Sequence, residues 1–299
     1  MARYCTARMR APDCLGLRDV LGGRPGPILL VFVTTRQGRR SVLSPCVDRV
    51  EAVSEDRLPL QPEFRSDMTV ELVRASADDT DVIFAARVST QGEQTLAGAL
   101  DEATDAARSK GLINFLMRDR HGSPFEHNSM TFYVQAPIFV FREFMRHRIA
   151  SYNEESGRYR QLRPVFYVPG PERNLLQVGK PGAYEFLPGT PEQSAIAVQE
   201  AQTQAEQAYA SYLRMLDAGI AREVARVVLP LSIYSSMYVT MNARSLMNFL
   251  SLRTKREGTH FPSFPQREIE MVAEAMESHF ERLMPLTAEA FNANGRIAP

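Results

Sequence analysis

The sequence predicts an α+β fold. Three features carry that reading. Helical segments with recognisable start and stop signals dominate, only a few short runs alternate like strands, and no repeat or linker divides the chain after Met68. The 299 residues, 44% hydrophobic and 23% charged, suffice for one large domain or two small ones.

Residues 1–60 stand apart as an expected poorly ordered extension. They are rich in Arg, Gly and Pro without sustained periodicity, and only Ile28–Val33 could form a small strand. Order is expected from near Met68, where Thr69–Val73 alternates. Asp78–Asp81 then supplies a cap and acids for a helix filled by Val82–Val88. A second helix covers Lys110–Arg120, with Leu112, Phe115, Leu116 and Met117 on its apolar face. His121–His127 is a turn, Met130–Gln135 a strand, and Pro137–Met145 a helix opened by proline. Pro164–Pro169 reads as an edge strand because prolines flank it.

Residues 170–190 read as a Pro/Gly-rich loop. Thr190-Pro191 starts a long helix that runs to Ala218 and stops at Gly219. A helix over Ala221–Leu229 ends at Pro230, Tyr238–Thr240 is a strand, and Asn242–Arg253 is helical with Leu246, Phe249 and Leu250 on one face. Gln266–Met284 is the last long helix, expected to pack on the long helix before it.

Composition excludes several functions. Formal net charge is zero, so no global field draws nucleic acid. Arginine supplies 32 of the 35 basic residues, Lys110, Lys180 and Lys255 being the only lysines, so a single arginine says little. Eleven arginines precede position 66, but seven acids are interspersed, which argues against a nucleic-acid arm. Cys5, Cys14 and Cys46 form neither a disulfide framework nor a zinc pattern. Their confinement to the extension suits a cytoplasmic protein without thiol chemistry. Ile28–Val33 is too short to span a bilayer and has no cleavage site behind it. His121 and His127, six apart in a turn, lack a clear third metal ligand, so no metal is expected.

The chemistry concentrates in Arg146-His147-Arg148-Ile149-Ala150-Ser151-Tyr152-Asn153-Glu154-Glu155-Ser156-Gly157-Arg158. Its opening triplet lies at a helix C-terminus, where cations suit the dipole. Adjacent helical residues diverge by roughly 100°, so the three must address different neighbours. The hydroxyl of Ser156, the guanidinium of Arg158 and free loop N–H groups suit a phosphate.

Arg-His-Arg, seven residues, then Ser resembles the signature of the flavin-dependent thymidylate synthases. The similarity runs from Pro62 to Pro299 and is carried by His121–His127, Ala136–Val168 and Ala221–Arg253. Thr254–Ser263 departs from it as a longer, more irregular linker than shorter members carry. The resemblance implies helices around a small, mostly antiparallel sheet, in one domain over 61–299. It implies conversion of dUMP to dTMP, with methylenetetrahydrofolate as carbon donor, FAD as hydride mediator and NADPH as reductant. It also implies a homotetramer with active sites at subunit interfaces.

By the same resemblance, Ser123, Arg146, His147, Arg148, Glu154, Asn242, Ala243, Arg244 and Asn248 bind FAD. Glu143, Phe144, Met145, Arg146, Glu154, Glu155, Ser156, Gly157, Arg158, Arg226 and Arg253 bind dUMP. No G-x-G-x-x-G fingerprint occurs, so the cofactor must be held by scattered side chains. No cysteine lies in the body to attack uracil. Arg253 is therefore the expected catalytic residue, a fixed cation beside the pyrimidine edge. Two other classes compete: a non-catalytic nucleotide-binding module, which would lack a functional yellow flavin, and an arginine-rich RNA binder. Zero net charge, absence of Trp and core-like aromatics oppose the latter.

Overall fold

The structure, a computed structural model, describes residues 61–91, 106–181 and 183–299. The expected extension over 1–60, with its three cysteines and the Ile28–Val33 strand, lies outside the described residues.

In chain order the elements are β1 (Glu63–Arg65), β2 (Thr69–Ser76), α1 (Asp79–Gln91), α2 (Ala106–Arg118), β3 (Ser129–Pro137), α3 (Ile138–Phe144), β4 (Ser151–Glu154) and β5 (Val165–Tyr167). There follow β6 (Leu176–Lys180), β7 (Ala183–Leu187), α4 (Pro191–Asp217), α5 (Arg222–Ala225), β8 (Tyr234–Met241), α6 (Ala243–Arg253), α7 (Arg267–Leu283) and α8 (Pro285–Ala293). The fold is α+β, as the sequence predicts.

The central sheet has the order β2-β3-β8-β4, and every neighbouring pair in it is antiparallel. Its middle strand β3 obeys a period of two: Met130, Phe132, Val134 and Ala136 are buried, while the residues between them are not. Helices α6 and α7 cover the buried face. Leu246, Phe249 and Leu250 join Ile269, Val272, Met276 and Phe280 in the main core. Burying each such side chain contributes about 1.5–3 kcal/mol. A second cluster forms where Ala205, Tyr209 and Tyr212 of α4 meet Leu162, Phe166 and Ile233.

The start and stop signals act as expected in α4. Thr190 and Gln193 form a reciprocal capping box, and Gly219 ends the helix at φ +77°, a conformation that glycine adopts without strain. The Asn242 side chain caps α6 by accepting from the Ser245 N–H at 2.9 Å.

Four expectations need correction. The loop over 170–190 contains the antiparallel pair β6–β7, whose short alternations are hidden among prolines and glycines. A Cβ at Gly179 (φ +92°) would collide with the Ala183 carbonyl, so glycine is required there. The Ala221–Leu229 helix is only the four-residue α5, tightening into a 3-10 turn over Arg226–Val228. Pro230 holds Leu229 extended, at ψ 134°, and so truncates it. Ser151–Glu154, read as loop, is edge strand β4 on β8. Helix α7 packs on α6, α8 and β2 rather than on α4, because its broad apolar stripe belongs to the main core. Beyond the last long helix, Pro285 opens a short further one, α8.

Candidate active site

The signature leaves α3 at Phe144, bends through Met145–Ala150 and enters β4. Phe144 stacks on Phe249 of α6, with ring centroids 4.5 Å apart and planes at 18°. That contact brings the C-terminal ends of α3 and α6 together. Arg253, the last residue of α6, then reaches back across the join. Its Nε donates to His147 Nε2 at 3.1 Å, and its NH1 donates to Glu143 Oε2 at 2.8 Å. A longer contact of 3.5 Å runs from NH2 to the Glu143 carbonyl.

His147 is buried, with its ring edge-on to Phe249 at 4.9 Å. Because Nε2 accepts, the ring proton must lie on Nδ1. Burial, and then the Arg253 charge, push this imidazole down to about 4 from its ordinary 6.5. Burial raises the Glu143 carboxyl even though Arg253 pulls it the other way.

The depressed histidine predicts a pH dependence of stability. Unfolded His147 takes up a proton near pH 6.5, whereas the folded one resists until about 4. Its contribution is complete above pH 6.5 and is lost as pH falls toward 4, by about 3 kcal/mol in all and about 2 kcal/mol by pH 5. Denaturant unfolding of wild type and His147→Gln at pH 7 and pH 5 checks this. Parallel losses in the two proteins would mean that His147 is not held neutral.

A second cluster forms at the far end of β4. Glu154 is raised, first by burial, while Ser235 and Arg226 lower it. Gly157 is buried so closely that an added Cβ would lie 3.3 Å from the Arg226 Cδ. Glu155 pairs with Arg160 at 3.1 Å, and Arg158 Nε with Glu223 at 2.9 Å. The Ser156 hydroxyl accepts from the Arg158 N–H at 3.3 Å. Arg226, expected on a regular helix, starts the 3-10 turn and is exposed.

A third group gathers at the N-terminus of α6. Arg244 pairs with Glu126 at 2.5 Å and donates to the Pro299 carbonyl. Gly122 leaves room for it, since a Cβ there would lie 2.6 Å from the Arg244 Cζ. Ser123 and Asn248 are exposed. Ala243 is fully buried, and its N–H donates to Asn128 Oδ1 at 2.7 Å, so its side chain has no route to a ligand. Phe144 is likewise core, whereas Met145 is 39% exposed.

The predicted residues thus fall into three groups within one chain: α6 joins the first to the third, and β4 leads from the first to the second. That helix has 11 residues and is about 16 Å long. Arg146 and Arg148 are exposed and make no ion pair among the described residues. Two outward guanidiniums without acids suit a pyrophosphate, so the donor set fits a dinucleotide cofactor.

Sequence reasoning missed one wall of the site. Glu143 and Arg253 line a cavity of about 830 Å³ whose other side includes Arg173, Phe186, Lys255 and Phe264. Phe186 belongs to the unpredicted hairpin. Arg173 is anchored at 2.7 Å by Glu268, whose carboxylate is 2% exposed and also accepts from the Tyr167 hydroxyl. Strand alternation in Tyr184-Glu185-Phe186 was the available signal.

Comparison with known proteins places the chain in a family. The family model described as thymidylate synthase complementing protein matches residues 71–286. The flavin-dependent thymidylate synthase of Streptomyces coelicolor is 66% identical over 239 residues, 79% of this chain and 96% of that protein. The enzyme of that description from Tropheryma whipplei is 57% identical over 242 residues, 80% of this chain and 98% of that one. Among solved structures, the UMP/dUMP methylase PolB from Streptomyces cacaoi bound with 5-Br dUMP is 56% identical. It superposes with a TM-score of 0.74, covering 79% of this chain and 100% of that chain. Its complex with 5-Br UMP gives a TM-score of 0.72. With the match spanning most of the chain and both the signature and α6 inside it, the chain belongs to the flavin-dependent thymidylate synthase family.

Proposed function

We propose that this protein methylates dUMP reductively to dTMP in de novo dTMP synthesis. Methylenetetrahydrofolate gives the one-carbon unit, NADPH supplies the reducing equivalents, and tetrahydrofolate and NADP⁺ leave. The observation that carries the reading is Arg253. Its guanidinium is fixed by Glu143 and His147 at the wall of a cavity large enough for a nucleotide. A fixed cation there favours the negative charge that develops when uracil is made electron-rich at C5.

Around it, Glu143, Met145 and Arg146, with backbone atoms of Phe144, orient the nucleotide. Glu154, Glu155, Ser156, Gly157, Arg158 and Arg226 hold its phosphate end. Arg146 and Arg148 hold the FAD pyrophosphate. Ser123, His147, Glu154, Asn242, Arg244 and Asn248 hold the rest of FAD, with Ala243 contributing backbone only. Bound FAD supplies the hydride chemistry, while the protein supplies orientation and field. Because one chain separates these residues into three groups, a homotetramer that joins groups from different subunits completes the site. Exposed Ile149, Tyr159 and Val227 beside the signature and the Arg226 turn support such an interface. No helix among the described residues is long and apolar enough to cross a membrane. A cytoplasmic setting is the reading we adopt.

Tritium release from C5-labelled dUMP, with FAD, NADPH and methylenetetrahydrofolate each added or withheld, tests the function. Release should require all three, and UMP runs beside dUMP because PolB is described as a UMP/dUMP methylase. Colourless protein without release would leave only a nucleotide-binding module. Removing residues 1–57 deletes Cys5, Cys14 and Cys46 together and should leave flavin binding and release intact. A folded truncation that binds flavin but has lost several orders of magnitude in rate would point to a thiol nucleophile.

A further inference from the structure

We propose that His147 is a positioning residue for Arg253, fixing the rotation of its guanidinium so that the remaining N–H groups face the pyrimidine. This deepens the function proposed above and rests on it.

The argument starts from donor counting. A guanidinium has five N–H groups in a rigid plane. Nε–H is taken by His147, one NH1 hydrogen by Glu143, and one NH2 hydrogen by the longer contact to the Glu143 carbonyl. One hydrogen is left on each terminal nitrogen. Either can donate to a uracil edge in which N3 has lost its proton, or to a neighbouring carbonyl oxygen. Glu143 alone, holding NH1 at 2.8 Å but NH2 only at 3.5 Å, would let the plane pivot about the shorter contact. The second grip, at Nε, removes the pivot.

His147 is itself held firmly. Its backbone N–H donates to the Phe144 carbonyl at 3.0 Å, and its carbonyl accepts from the Tyr152 hydroxyl at 2.7 Å. Phe249 packs edge-on against the ring. The polar groups around the imidazole are Arg253 from α6, Glu143 from α3 beyond the guanidinium, and Tyr152 from β4. Only an acceptor can serve at this position. A protonated imidazole would set N–H against N–H and cation against cation.

Two measurements test the assignment. The first is single-turnover dTMP formation at saturating dUMP and FAD. His147→Leu, which removes the acceptor, should slow it by roughly 10²-fold. His147→Gln, whose carbonyl can accept, should stay within about tenfold of wild type. In an Arg253→Ala background His147→Leu should cost nothing more, since no guanidinium remains to be positioned. A multiplicative loss in that background, or a loss confined to flavin affinity with turnover intact, would overturn the proposal. The second measurement is independent of activity: ¹⁵N spectra of the histidine-labelled full chain without added flavin. Five histidines should resolve, and the one missing in His147→Gln should be the neutral Nδ1–H tautomer at pH 7. An Nε2–H tautomer would refute the hydrogen bond. Wild type that makes no dTMP but shows the Nδ1–H tautomer would sink the function and leave the Arg253 contact standing.

Discussion

Replacing Arg253 with alanine should lower single-turnover dTMP formation by about 10²–10³-fold even when dUMP saturates the enzyme. The residue ends a core helix, and both its anchors come from the segment around α3. Its cation is therefore in place before substrate arrives, and what is lost is stabilisation of the charge that develops in the ring. Arg226 offers the contrast. It is exposed on a 3-10 turn, near Glu154 and Gly157. Arg226→Ala should weaken dUMP binding and be rescued largely by more substrate. Reduction of FAD by NADPH should survive in both. Lysine at 253 should restore little, because one ammonium cannot reach His147, Glu143 and the pyrimidine in a single plane. If Arg253→Ala reaches the wild-type rate at saturation, Arg253 serves binding alone.

Glu277→Ala should be strongly destabilising, at about 3–5 kcal/mol. Glu277 holds the buried Arg296 at 2.5 Å and Arg256 at 2.8 Å. Arg296 is only 4% exposed and also donates to the Thr254 hydroxyl at 2.8 Å. Arg256 can fall back on Glu274, 3.3 Å away, but Arg296 would be left as a buried cation without a carboxylate. For a domain of this size the loss corresponds to a fall of about 10 °C in Tm. Arg296→Met should cost less, since an apolar chain fills the same space and Glu277 keeps Arg256. Calorimetry of the two variants gives the order directly. A milder effect for Glu277→Ala than for Arg296→Met would mean that the pair is not the anchor. This network also pins the irregular linker after Arg253: Ser263 Oγ donates to the Thr254 carbonyl at 2.6 Å, and the His260 N–H donates to the Gly295 carbonyl at 2.9 Å.

What could be read from the sequence was local. The Thr190-Pro191 start and Gly219 stop of α4, the Asn242 cap of α6 and the strict alternation in β3 are each written within a few consecutive residues. The site residues were legible as an ordered signature. Their grouping was not, because it depends on partners far apart in sequence: Arg253 and His147 are 106 positions apart, and Arg253 and Glu143 are 110. The β6–β7 pair was missed for a different reason. Its strands are five residues each and mostly exposed, so no buried face disciplines their pattern. The partner of α7 was misjudged because an apolar stripe records that a face is buried, not against what.

Strand β4 carries part of the Arg-His-Arg signature and also forms one outer margin of the central sheet. An open strand margin is a template for another chain to add to, and proteins blunt it with short, polar segments. β4 has four residues, and Ser151, Asn153 and Glu154 are three of them. The residues that lead toward the proposed phosphate site therefore also keep this edge short and polar. Apolar replacements there face two penalties at once: weaker recognition of a ligand, and a sheet that is free to grow into aggregates.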